Sequence, residues 1–91
     1  MSCHRAKVER SNRKDLEHIE VQITVTDSTT GARSWRGEFA SRSSDGILPN
    51  ERLALALDNG QKGMARVTET HFDSRNPLLT TVHFTGTSPL T

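Results

Sequence analysis

The side chains in this sequence that invite chemistry fall into three groups. His4, His18, His71 and His83 are the candidate metal ligands, but no His-x-His or His-Glu-x-x-His spacing joins them. Strand or surface positions account for them better than a metal centre does. Cys3 and the serines are the candidate nucleophiles. Cys3 lies in a polar N-terminal stretch, the serines lie in turn-rich loops, and no Gly-x-Ser-x-Gly elbow is present. Neither catalysis nor a cofactor is expected. The third group pairs a basic arm, Arg10, Arg13 and Lys14, with a polar loop holding Ser41, Ser43 and Gly46. A guanidinium grips a phosphate or the O6/N7 edge of guanine with two parallel bonds, which lysine cannot reproduce. The loop adds hydroxyls, backbone N–H groups and a glycine that allows close approach. This combination reads as an anion-binding site.

The rest of the chain must hold that loop. Ile19, Val21, Ile23 and Val25 alternate with Glu20, Gln22 and Thr24, the period of a half-buried strand. Asp27–Gly31 is turn chemistry, and Trp35, Gly37 and Phe39 form the inward face of a return strand. Gly37, beside two large rings, marks a bulge or a close backbone approach. After the Ser41–Glu51 loop, Ile47 and Leu48 are placed in a short strand ended by Pro49. Leu53, Leu55 and Leu57 then point inward, with Ala54 and Ala56 on the opposite face. Asp58-Asn59-Gly60 reverses the chain into a strand near Met64–Thr70 with Ala65 and Val67 inside. Asp73–Pro77 turns it again into Leu79–Thr85, with Val82 and Phe84 inside. No segment carries ten residues of helical period. Five or six short antiparallel strands predict an all-β fold, a small closed barrel, with an open two-layer sandwich as the alternative.

Composition sets further bounds. Ninety-one residues with 32% hydrophobic content give one small domain with a thin core. Such a core gains from a second copy in a homodimer or from a protein partner. Residues 1–16 hold five basic side chains against two acidic ones, and the remainder seven against nine. A basic arm on a mildly acidic body fits one anionic ligand rather than a DNA or RNA surface. Residues 1–15 show no apolar period and only Val8 to bury, so residues 1–16 are expected to be a mobile arm and 17–91 the folded domain. One cysteine allows no intrachain disulfide. No apolar run approaches the roughly eighteen residues of a membrane span, and no secretory signal is visible. A cytoplasmic location is the resulting expectation.

The stretch Ser41-Arg42-Ser43-Ser44-Asp45-Gly46, followed by Ile47-Leu48, resembles the Asp/Asn-x-Ser-x-x-Gly motif of the PilZ domain family. Ser43 and Gly46 match, while Ser41 stands where the family carries an acidic or amide residue. The family's Arg-x-x-x-Arg motif is met in one register by Arg10 and Lys14, and in the other by Arg13 with Glu17 in the second place. The stretches NERLALALDNGQKGMARV and VHFTGTSPL are similar to the family's later hairpin and closing strand. The resemblance covers about Arg10 to Leu90. It implies a six-stranded antiparallel barrel that binds cyclic di-GMP between Arg10, Arg13 or Lys14 and Ser41, Ser43 and Gly46. Ligand binding would order the arm and present a new surface to a protein partner. A divergent barrel that has lost the nucleotide and works through protein contacts is the other reading.

Overall fold

The computed structural model describes residues 2–10, 15–27 and 33–91. Among these the chain forms six strands: β1 (Ser2–Arg10), β2 (Leu16–Asp27), β3 (Arg33–Arg42), β4 (Arg52–Leu57), β5 (Lys62–Asp73) and β6 (Asn76–Gly86). All neighbouring pairs are antiparallel. They close in the order β1-β2-β3-β6-β5-β4, with β4 returning to β1. This is the barrel expected from the strand spacing, and the open sandwich is excluded. The turn expected over Asp27–Gly31 lies, beyond Asp27, outside the described residues, as do the basic residues Arg13 and Lys14.

Alternation builds the interior. Val21 and Ile23 of β2, Trp35 and Phe39 of β3, Leu53, Leu55 and Leu57 of β4, Ala65 and Val67 of β5, and Val82 and Phe84 of β6 are all buried. Burial of these side chains is the main favourable term in the fold. Phe84 sits at the centre, its ring 6.0 Å from both Trp35 and Phe39. Gly37 is the close approach foreseen from its neighbours. A Cβ there would meet the Gln22 carbonyl and come within 2.7 Å of the Phe84 ring.

Two expectations are corrected. Residues 2–10, expected to be part of a mobile arm, are not one. Ser2–Arg10 is a stave of the barrel, paired with β2 from Ser2–Ile23 to Val8–Leu16 and with β4 from Ala6–Leu57 to Arg10–Leu53. Its inward residues are Ala6, Val8 and Arg10, all buried. They are small or charged, so the alternation carries almost no hydrophobic signal. The pairing nonetheless satisfies the backbone on both sides, which offsets the ordering cost. A register shift against β2 is accommodated beside His18, whose φ of 57° is left-handed. The second correction concerns Ile47-Leu48, which is not a strand. Ile47 is buried beneath the loop and Leu48 is exposed, and the chain turns at Pro49-Asn50 before β4. The sixth stave is β1.

Candidate functional site

One end of the barrel gathers the end of β1, the start of β2, the β3–β4 crossover and the β5–β6 turn. The crossover leaves β3 at Arg42 and makes a single 3-10 turn, Ser43–Asp45. The Asp45 carboxylate accepts from the Arg42 backbone N–H at 3.1 Å, closing the turn. Gly46 follows with φ 66° and ψ 32°, and its N–H donates to the Ser43 carbonyl at 3.3 Å. Only glycine takes that left-handed conformation without steric cost.

Arg10 reaches this loop from the end of β1. Because β1 alternates, Arg10 falls on the inward face after Ala6 and Val8, and its side chain is only 3% exposed. Its Nε and Nη2 donate to the two carboxylate oxygens of Glu51, at 3.1 and 2.8 Å. Its Nη1 donates to the Asp45 carbonyl at 2.8 Å. The planar fork thus joins β1, the 3-10 turn and the residue preceding β4 in one bidentate arrangement. Glu51 is fixed in turn through its carbonyl, which accepts from Val67 N–H at 2.9 Å.

The serines are tied down by β6. Ser41 is buried and pairs with Thr80. The Ser43 hydroxyl donates to the Pro77 carbonyl at 2.8 Å, so the Thr80 hydroxyl, 2.8 Å away, donates to Ser43 Oγ. Thr80 pairs on its other side with Phe72, a residue that is 75% exposed. Leu48 and Leu78 are also exposed at this end.

Of the residues expected to form the site, the structure places Arg10 against the Asp45 carbonyl, next to Gly46, and Ser41 and Ser43 against β6. It also shows the Arg10 fork and the Ser43 hydroxyl engaged inside the protein. Glu51, Thr80 and the Pro77 carbonyl, which complete the arrangement, were not anticipated from the sequence. Glu51 had one visible signal, a carboxylate immediately before the apolar strand β4.

The remaining candidates stand apart. His71 Nε2 lies 2.8 Å from Glu69, His83 Nδ1 lies 3.5 Å from Glu38, and the two imidazoles meet edge to face. Among the described residues no group of three His, Cys, Asp or Glu side chains is arranged to hold a metal ion. Cys3 is exposed and its thiol donates to Glu20 at 2.9 Å. That bond, with the nearby carboxylate charge, pushes the thiol pKa up and weakens it as a nucleophile. Among the described residues no helix is long and apolar enough to cross a membrane. Comparison with family models, curated proteins and solved structures finds no match to this chain.

Proposed function

We propose that this chain is a small non-enzymatic binding module whose ligand end is the Arg10–Gly46 end of the barrel, with cyclic di-GMP as the ligand. The observation that supports this most directly is the Arg10 guanidinium held against the Asp45 carbonyl, which packs the basic end of β1 onto the serine loop. Arg13 and Lys14 follow within four residues in sequence and supply cations beyond the one that Glu51 neutralises. Gly46 leaves the loop backbone open to a close ligand, and the exposed Phe72 ring offers a stacking face for a base.

A second reading has its own observation. With Arg10 sealed by Glu51 and Ser43 by Pro77, the barrel end is complete without a nucleotide. In that reading the module acts through protein contacts alone. Calorimetric titration of cyclic di-GMP at low and moderate salt separates the two. The receptor reading expects micromolar binding that weakens with salt, because the ligand is a dianion. It also expects Arg13→Ala and Ser43→Ala each to lower affinity by roughly tenfold or more. No heat and no backbone amide shifts at millimolar ligand would leave the protein-contact reading.

A further inference from the structure

The strand registers place three arginines in a single row on the outside of the barrel. Thr24 on β2 pairs with Arg36 on β3, Arg36 with Thr85 on β6, Thr85 with Arg66 on β5, and Arg66 with Arg52 on β4. All three arginines are exposed, and none has an ion-pair partner among the described residues. Arg66 and Arg52 stand directly opposite each other, an arrangement that destabilises a sheet when left without an anion. Nothing inside the barrel requires these charges, since the inward neighbours of Arg52 and Arg66 are Leu53, Ala65 and Val67.

We infer that this row is a docking strip for an extended acidic segment of a partner protein. Arg52 to Arg36 spans three strand spacings, roughly 14 Å, and four residues of extended chain cover about 13 Å. Carboxylates at alternate positions of such a segment therefore fall over Arg52, Arg66 and Arg36 in turn. A groove of about 340 Å³ runs beside Arg36 and Thr85, bounded by Thr24 and Thr68 and, further on, by Glu38 and Glu69. Those two carboxylates bound the strip on one side and confine an anionic partner to the short row of arginines. No exposed aromatic ring stands in the row to stack bases, as a single-stranded nucleic-acid surface requires. The strip is thus better matched to an acidic peptide than to DNA or RNA.

The test is fluorescence anisotropy of a labelled peptide of alternating Glu and Ser, with a labelled oligothymidylate in parallel, at low and moderate salt. The intact protein should bind the peptide, and more weakly as salt rises. Arg66→Gln should weaken that binding by roughly tenfold, whereas Lys62→Gln, outside the row, should not. Removing the like-charge pair should leave the melting temperature of Arg66→Gln equal or higher, which separates lost docking from lost folding. Ser43→Ala should leave peptide affinity unchanged, so the strip stands or falls independently of the nucleotide. Absence of peptide binding at low salt, or binding indifferent to Arg66→Gln, overturns the inference. Tighter, row-dependent binding of the oligonucleotide overturns it in favour of nucleic acid.

Discussion

Glu51→Ala is the most informative single change. It deletes the carboxylate that accepts two of the three hydrogen bonds from the Arg10 fork and leaves only the Asp45 carbonyl. The Arg10 side chain is 3% exposed and cannot turn to water without unseating the end of β1, whereas Glu51 is 20% exposed. Removing one partner of a buried pair costs roughly 3–5 kcal/mol because the other charge is stranded. Partial exposure of Glu51 places the expected cost near the lower bound, about 3 kcal/mol. For a domain of this size that lowers the melting temperature by about 12–24 °C. Arg10→Ala should cost less, since the stranded carboxylate is already partly hydrated. The double variant should recover at least about 1 kcal/mol relative to the summed single losses. Glu51→Gln, which keeps the shape and one acceptor, should fall between Glu51→Ala and the parent chain. Urea titration followed by Trp35 fluorescence gives these values, and an unchanged denaturant slope shows that the unfolded state is the same. A loss below about 1 kcal/mol for Glu51→Ala, or strictly additive losses, would refute the claim that this pair locks the barrel end.

Other outcomes follow from the same geometry. A chain beginning at Leu16 lacks β1, uncovers Leu53, Leu55 and Leu57 and leaves two open edges, so it should show no cooperative melting; a normal melt would restore the mobile-arm reading. Gly86→Ala places a Cβ against the Trp35 indole, 2.6 Å from Cδ2, and overpacking should cost about 1–3 kcal/mol with a shifted Trp emission. An unchanged melt and spectrum would contradict the packing. Because the Glu20 bond holds the Cys3 thiol pKa above its usual value, alkylation by iodoacetamide should be slow near neutral pH. It should quicken in Glu20→Gln, and the rate–pH curve should shift to lower pH; coincident curves would show that the bond is absent in solution.

Much of the fold is written in simple alternation. Ile19 to Ile23, Leu53 to Leu57, and Val82 with Phe84 announce their strands because their inward positions are large and apolar. β1 is silent because closure gives it a position where Ala6, Val8 and the aliphatic stem of Arg10 suffice. The serine loop was legible through its turn residues, and Gly46 takes the left-handed conformation its place implied. The role of Arg10 was not, since a lone arginine near a basic cluster looks like a ligand contact. Its partner Glu51 is brought to it only by the pairing of β1 with β4. Ile47 misled for a related reason, being buried under a crossover rather than within a sheet.

Closure by β1 and β4 has a kinetic side. The seam joins Ala6 to Leu57 and Arg10 to Leu53, so the first stave to leave the ribosome waits for β4 before its second edge is covered. Contacts between such distant residues form slowly because the intervening chain must first be gathered. Until then the β1–β2–β3 meander exposes Val8 and Val21 along an incomplete sheet, the kind of species that associates with its own kind. Arg10 is the last inward residue of that waiting stave. A buried cation there disfavours premature pairing with any apolar strand that lacks a carboxylate matching Glu51, so the same side chain that secures the finished barrel also helps to select which strand may close it.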